Sequence, residues 1–406
     1  MWQQLKNIYH LFQAVAANQL YGFPSRKLFV IGVTGTDGKT TTASIIFSIL
    51  RDSGKKTIKI TTLGATINDK ELATGLHVTT PSSFEIQRLF AVAVREGCTH
   101  AILEVSSHAL DQNRVFGIRF AIGVLTNISH EHLDYHKTIE NYTRAKTKLL
   151  QAADIAVINQ DDPSYAVVAD RLGPKKITTY ALNAAADVTP FTFPFTTQLF
   201  GGFNRYNCLA AAAAAAAAGI DNDTILRSIA SFKNPRGRQD IVYNKEFKVM
   251  IDFAVTPKAF ESILSEIKKG LSGRLIHVFG LSGKRDSSKR PIMGDVASRY
   301  DDIIILTADD PRDEPVESIN EEIIRGIHGF TRKDPAHHTL RPDDRMDLFE
   351  IPDRGQAIIY AISLAQPGDF VLLTGKGHEQ SLAMKEGDVP WDEYKAVEEA
   401  LAKRLS

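Results

Sequence analysis

Short apolar runs bounded by turn residues alternate along this chain with longer amphipathic segments, the pattern of parallel strands joined by crossover helices. The first unit is Lys27–Thr34 (KLFVIGVT), followed by a Gly/Thr loop and a helix from Lys39 to Asp52. Thr57–Thr61, His100–Val105, Ile118–Leu125 and Asp154–Ile158 read as further buried strands of one central sheet. Ala210–Ala218 is nine consecutive alanines, but its neighbours Asn207, Leu209 and Gly219 make it a tightly packed helix ending at a glycine, not low complexity. In FKNPRGRQD, 232–240, Pro, Gly and alternating charge interrupt the pattern, as at a domain boundary. The alternation then restarts, with strands at Lys248–Phe253, Leu275–Phe279, Asp302–Leu306 and Asp369–Leu373 and helices near 257–269, 315–327 and 353–365. The expected class is α/β: a P-loop central domain with a mostly parallel sheet, then a Rossmann-like C-terminal domain. The expected division is an N-terminal helical segment at 1–27, a central domain at 28–238 and a C-terminal domain at 239–406.

The apolar stretch Ile8–Phe23 carries His10, Gln13, Asn18 and Gln19 and is too short for a membrane span. It lacks the ordered regions of a secretory signal, and its polar face is poor in the Lys and Arg that a membrane surface would attract. It reads as an amphipathic helix docked on the first domain. The 406 residues carry 48 basic and 48 acidic side chains, so nothing pulls the chain as a whole toward nucleic acid or anionic lipid. A hydrophobic share of 43% and a charged share of 24% exclude a disordered chain. The two cysteines, Cys98 and Cys208, form no CxxC pair, which excludes a disulfide framework and a Cys-based zinc site and points to a reducing cytoplasm.

Three blocks carry chemistry. GVTGTDGKTTT, 32–42, lies between a predicted strand and a predicted helix, where backbone N–H groups from Gly35 to Lys39 can cradle phosphate. Lys39 adds a point charge and the Thr40 hydroxyl suits Mg²⁺. Val33 stands where the common GxxxxGK[ST] loop has glycine. LEVSSHALDQNRV, 103–115, puts Glu104 at the end of a predicted strand, where ligands of open α/β sheets gather. TNISHEHLDYH, 126–136, concentrates His130, His132 and His136 with Glu131 and Asp134; it admits a zinc site of HxxxH spacing or a polar helix start capped by Ser129.

In this order the blocks resemble the ATP-dependent Mur ligases, in particular the branch that adds the third residue of the peptidoglycan peptide. The resemblance continues through YTRAKTKLL, FGGFNRYNCLAA, DFAVTP, GKRDSSKRP, DDPR and LLTGKGHEQ, covering about residues 28–406. It implies an ADP-forming amide-bond ligase working through an acyl phosphate, with ATP and Mg²⁺ as cofactors. The implied ATP-binding residues are Gly35, Thr36, Asp37, Gly38, Lys39, Thr40, Thr41, Asn127, Asn204, Asn207, Arg238 and Asp252. The implied metal ligands are Thr40, Glu104, His132 and Lys146, the last carbamylated. Lys39, Glu104, His132, Lys146 and Arg238 are the implied catalytic set.

The resemblance assigns the carboxylate substrate to His77, Thr79, Thr80, Pro81, Ser107, Gln112 and Arg114. The incoming diamino acid falls to Arg285, Asp309, Asp310, Arg312, Gly375 and Glu379. Arg312 can clamp a distant carboxylate bidentately, which favours diaminopimelate over lysine. Asp310 stands where the family has Asn, Phe253 and Val255 where it has Tyr and His, and Arg236 is inserted before Gly237. Family members also carry a uridine-gripping domain before the phosphate loop, which this chain reaches at Gly32. Weak UDP binding or an acceptor without UDP is therefore expected. The expected partners are a muramyl-peptide or other peptide substrate and an amino acid, without nucleic acid or stable membrane insertion, for a monomer. The alternatives are a related ligase for a non-UDP acceptor and a nucleotide-binding protein that has lost ligation.

Overall fold

Val30, Ile31 and Val33 are fully buried, as a strand covered on both faces requires. The computed structural model describes residues 2–68, 70–72, 79–337 and 346–405, so the predicted site residue His77 lies outside the described residues. They form two units, Met1–Ser129 with Tyr135–Lys233 and His130–Asp134 with Asn234–Ser406.

The first unit contains β1 (Phe29–Thr34), β2 (Thr57–Thr61), β3 (Gly64–Ile67), β4 (Lys70–Leu72), β5 (His100–Glu104), β6 (Phe120–Leu125), β7 (Ala153–Asn159) and β8 (Lys176–Tyr180). Their sheet order is β4-β3-β2-β5-β1-β6-β7-β8. It is parallel from β2 to β8, and β3 and β4 form an antiparallel edge. Lys27 was expected in the first strand, yet Pro24–Lys27 is a short 3₁₀ turn, for which proline's fixed φ is suited. The N-terminal helix runs Trp2–Leu20, earlier than its apolar stretch suggested, and lies against the helix Ser83–Arg95 with Ala14, Ala17 and Asn18 buried.

The alanine run belongs to the helix Gly202–Ala217, which ends before Gly219 at φ 80°. Ala210–Ala215 are buried on all sides, among the helix Lys39–Asp52, the strands β6, β7 and β8 and the helix Asn222–Ser231, and small side chains let these backbones approach. That approach seats the helix behind the phosphate loop.

The second unit contains β9 (Asp240–Asn244), β10 (Lys248–Asp252), β11 (Leu275–Phe279), β12 (Ile303–Leu306), β13 (Phe330–Arg332), β14 (Met346–Glu350) and β15 (Phe370–Thr374). Their order is β13-β14-β12-β11-β15-β10-β9, parallel except for β9 on β10. A separate hairpin pairs β16 (Ser381–Met384) with β17 (Gly387–Pro390). The α/β class with two sheets is as expected. The unforeseen β3, β4, β8, β9 and β13 sit at or near sheet edges, where partial burial blurs the apolar run; the hairpin strands β16 and β17 and the buried β14 were also unforeseen, the last because Asp347 breaks its short apolar run. Among the described residues, no helix is long and apolar enough to cross a membrane.

Ala213→Leu overfills a fully buried position and should lower unfolding stability by about 1–3 kcal/mol, measured by urea denaturation. Ala216→Leu, on the exposed side of the same helix, should stay within about 0.5 kcal/mol of the parent.

Candidate active site

The adjacent strands β5, β1 and β6 end in Glu104, Thr34 and Leu125, so the phosphate loop, Glu104 and Asn127 gather at one edge of the sheet. Gly35 and Gly38 have φ of 151° and 77°. A Cβ on Gly35 would lie 1.8 Å from Thr126 Oγ1 and one on Gly38 2.2 Å from Asn207 Oδ1. The loop therefore needs glycine at both positions for conformation and for space. Asn127 braces it, accepting from the Asp37 N–H at 3.0 Å on Oδ1 and from the Thr36 N–H at 2.9 Å on its carbonyl, while Thr126 Oγ1 donates to the Asp37 carbonyl at 2.6 Å. The helix that starts at Lys39 points its first-turn N–H groups, including that of Thr41, out of the loop.

Thr40 Oγ1 donates to Glu104 Oε2 at 2.9 Å, and Glu104 also accepts from the Thr62 N–H at 3.2 Å. Both Thr40 and Glu104 are buried, and their hard oxygen donors fit Mg²⁺ carried by a nucleotide. Lys39 Nζ lies 2.8 Å from the Thr36 carbonyl. Lys146, on the helix Ile139–Ala152, is 1% exposed; its Nζ donates to the Gly35 carbonyl at 2.6 Å and sits 4.5 Å over the Tyr142 ring. The Tyr142 hydroxyl in turn meets Thr36 Oγ1 at 3.2 Å. The structure thus brings Lys146 onto the phosphate loop itself. Asn207 Nδ2 donates to Asn204 Oδ1 at 2.8 Å, and Thr42 Oγ1 donates to Asn207 Oδ1 at 3.3 Å, so both asparagines adjoin the loop's helix. Burial lowers the Lys59 amine's pKa against the opposing pull of Glu71 and Glu104, and its Nζ lies 3.4 Å from Ser44 Oγ on the helix that follows the loop.

The residues expected to meet the carboxylate substrate also converge. Thr80 Oγ1 donates to the Glu104 carbonyl at 3.0 Å and Arg114 Nη1 to the Thr80 carbonyl at 3.0 Å. Gln112 Oε1 accepts from Arg114 Nε at 2.9 Å. Ser107 Oγ is 3.0 Å from His136 Nε2, which commits that imidazole to a hydrogen bond. Pro81 is buried beside Thr80, and Thr79 is partly exposed. Tyr135 and Asp111, absent from the expected set, border the cluster: the Tyr135 hydroxyl donates to Asp111 at 2.9 Å, and burial pushes it up to about 12.

In the second unit, β12, β11, β15 and β10 are neighbours, and their carboxyl ends carry Asp309–Arg312, Ser282–Asp286, Gly375–Glu379 and Asp252. Asp252 accepts from the Gln239 N–H at 2.9 Å and the Ala254 N–H at 2.7 Å, and burial raises its carboxyl against the pull of Arg238. The Arg238 guanidinium lies 4.4 Å over the Phe253 ring, whereas the inserted Arg236 pairs with Asp392 at 3.1 Å, so Arg238 is the one beside Asp252. His132 belongs to this unit, half-exposed at φ 56° and 3.9 Å from buried Glu131, which accepts from Lys289 Nζ at 3.1 Å. Arg285 is exposed.

Asp310 and Arg312 hold left-handed φ of 49° and 55°, an uncommon conformation for side-chain-bearing residues. Hydrogen bonds from the Arg312 and Ala383 N–H groups, at 2.8 Å to the Ala383 carbonyl and 2.9 Å to Asp310 Oδ1, hold them there. Arg312 Nη1 donates to the Gly283 carbonyl at 2.6 Å. Lys376, quoted within LLTGKGHEQ but given no role from sequence, is buried with Nζ 2.7 Å from Asp310 and 2.5 Å from Glu379. Carboxylate oxygens of Asp309, Asp310 and Glu379 lie within 4.8 Å of one another around it. The charge that Asp310 adds is thus balanced by Lys376. Burial would lower the Lys376 amine, but Asp309, Glu379 and Asp310 outweigh it and hold it raised. Burial pushes Asp309 up to about 7, against the pull of Lys376 and Arg354.

A carboxyl whose pKa rises on folding is bound to its proton more tightly in the folded state, so its stabilisation is complete in acid and fades as pH climbs from about 4 through about 7. Asp309→Asn should flatten that part of the stability profile, read by urea unfolding across the same range; an unchanged slope would remove Asp309 as its source.

Two family descriptions match the chain: Mur ligase middle domain over residues 33–215 and Mur ligase, glutamate ligase domain over residues 237–377. A UDP-N-acetylmuramoyl-L-alanyl-D-glutamate–2,6-diaminopimelate ligase from Aquifex aeolicus is 38% identical over 404 residues, 95% of this chain and 80% of that protein. A UDP-N-acetylmuramyl-tripeptide synthetase from a Roseiflexus species is 35% identical over 96% of this chain and 82% of its own. A solved structure of a diaminopimelate ligase of the same name superposes with TM-score 0.63 at 29% identity, covering 99% of this chain and 83% of that one. A folylpolyglutamate synthase from Mycobacterium tuberculosis shares the fold, with TM-score 0.70 at 18% identity over 90% of this chain and 92% of its own. With a glycine-braced phosphate loop and a carboxylate-lined loop cluster, each at the carboxyl ends of parallel strands, and relatives matched along nearly its whole length, the chain belongs to the Mur ligase family.

Proposed function

We propose that this chain is an ADP-forming ligase of peptidoglycan precursor synthesis, joining diaminopimelate to the glutamyl carboxylate of a muramyl dipeptide. The observation that carries the reading is 38% identity across 95% of the chain to a protein named for that reaction. An acceptor carboxylate oxygen attacks the γ-phosphorus of ATP and ADP leaves. The amine nitrogen then attacks the acyl carbon, the bond to the phosphate oxygen breaks, and inorganic phosphate departs with loss of a proton from nitrogen. Negative charge moves through phosphoryl and acyl oxygens, so catalysis rests on positioned N–H groups and cations.

In this reading Lys39 and the N–H groups of residues 35–41 hold the phosphates, Asn127, Asn204 and Asn207 shape the nucleotide site, and Arg238 and Asp252 are ATP-binding residues as well. Thr40 and Glu104 hold the nucleotide's Mg²⁺, which supplies charge neutralisation. His132 and carbamylated Lys146 serve a second Mg²⁺. The Lys146 ammonium first gives up a proton; the neutral amine then adds to CO₂ and loses a second proton from nitrogen, so that a buried cation becomes an anion, and its burial against Gly35 and Tyr142 supports a role tied to the phosphate loop. Thr79, Thr80, Pro81, Ser107, Gln112, Arg114 and His77 meet the acceptor. Asp309, Asp310, Arg312, Gly375 and Glu379, with Arg285, take the amino acid. Both thiols support a cytoplasmic setting: Cys98 and Cys208 are free, buried and held protonated by that burial.

Lys146→Ala should lower turnover about 10–100-fold and abolish any dependence on dissolved CO₂, followed as phosphate release in stripped and bicarbonate-supplemented buffer. Full turnover in the variant without CO₂ would exclude the carbamate. For Arg312→Ala, the KM for diaminopimelate should rise about tenfold to a hundredfold, the worth of a charged hydrogen bond, with the KM for ATP unchanged. A parallel rise in both would point to damage to the fold instead.

A further inference from the structure

The two loops assigned to the amino acid leave different strands, Asp309–Arg312 after β12 and Gly375–Glu379 after β15, with β11 between them in the sheet. One buried side chain touches the root of each. Arg354, first residue of the helix Arg354–Leu364, donates through Nη1 to the Ala308 carbonyl at 3.3 Å and through Nη2 to the Thr374 carbonyl at 2.8 Å. Those carbonyls belong to the residues immediately before Asp309 and Gly375. The guanidinium is held by Glu393, through Nε at 2.9 Å and Nη2 at 2.6 Å, and both side chains are 0% exposed. Trp391 Nε1 donates at 2.7 Å to Glu393 Oε2, the oxygen that also accepts from Arg354 Nε, and so helps to fix the carboxylate. Thr374 is anchored a second time, its Oγ1 lying 2.9 Å from His277 Nε2, whose Nδ1 meets Asp301 at 2.8 Å.

We propose that Arg354, fixed by Glu393, is a positioning residue for the amino acid, setting the distance between the Asp309–Arg312 and Gly375–Glu379 loops. The inference rests on the reading that these loops hold the amino acid. Its physical ground is that the guanidinium makes four directed N–H bonds from three nitrogens, two to the carboxylate and one to each of two separated carbonyls, where a lysine ammonium has three donors on a single nitrogen. A buried ion pair contributes little stability relative to apolar replacements of similar volume, so stability alone does not account for the pair between the loop roots. A shift of about 1 Å between the loops would spoil simultaneous engagement of the two ends of a diamino acid, at a cost on the order of a hundredfold.

The test is steady-state phosphate release by the full chain with ATP, UDP-muramyl dipeptide and diaminopimelate, for Arg354→Lys and for the double variant Arg354→Met/Glu393→Met. The double variant removes both charges together and leaves neither buried alone. Expected in both is a KM for diaminopimelate raised about tenfold or more, an unchanged KM for ATP and, in the double variant, a melting temperature near that of the parent. An unchanged diaminopimelate KM in folded variants overturns the proposal, as does a parallel rise in both KM values or loss of the melting transition in both variants. Arg312→Ala in the same assay separates the two failures. If it raises the diaminopimelate KM while the Arg354 variants do not, the proposal falls and the site reading stands; if it too leaves that KM unchanged, both fall.

Discussion

Parallel pairing is the constraint on which both sites depend. Strands that run the same way deliver their carboxyl ends to one edge, and neighbours in the sheet need not be neighbours in sequence. In the first unit this sets Thr34, Glu104 and Leu125 side by side, so that the glycine loop, the acid and Asn127 share one edge. In the second it aligns the segments after Asp252, Phe279, Leu306 and Thr374. Chemistry that needs several groups within a few ångströms is assembled by backbone hydrogen bonding, before any side chain is considered.

Placing charged groups at such an edge requires partners for each of them, because desolvating a lone charge is costly. Lys146 has the Gly35 carbonyl and the Tyr142 face. Lys376 has Asp310 and Glu379, and Arg290 has Glu314 and Glu322. Arg354 has Glu393 and two carbonyls. The two arginines reach loop backbone as well as an acid, Arg290 through the Ser282 carbonyl and Arg354 through those of Ala308 and Thr374, so the groups that balance charge there also hold the loops in shape. Asp310 illustrates the economy: its carboxylate accepts from Lys376 and from the Ala383 N–H, tying the loop after β12 to the hairpin strand β16.

The sequence by itself determined the α/β class, the strand–loop–helix at residues 29–52 and the order of the chemical blocks, because apolar periodicity and glycine placement are local properties. It also marked the alanine helix, whose small side chains and terminal glycine are written in adjacent residues. The edge strands escaped it, since a half-exposed strand such as β8 has no clear apolar run. Only the tertiary structure decided which of the many charged residues meet. Arg354 and Glu393 carry no sequence signature beyond their type, Lys376 and Tyr135 lie in quoted motifs that do not reveal their partners, and Arg236 and Arg238 cannot be told apart by register until one is seen beside Asp392 and the other beside Phe253. The reason is physical: a local pattern encodes which face of an element is buried, whereas the partner of a buried charge comes from another strand or helix, a hundred or more residues away for Lys146 and Gly35, and is set by the register of the whole sheet.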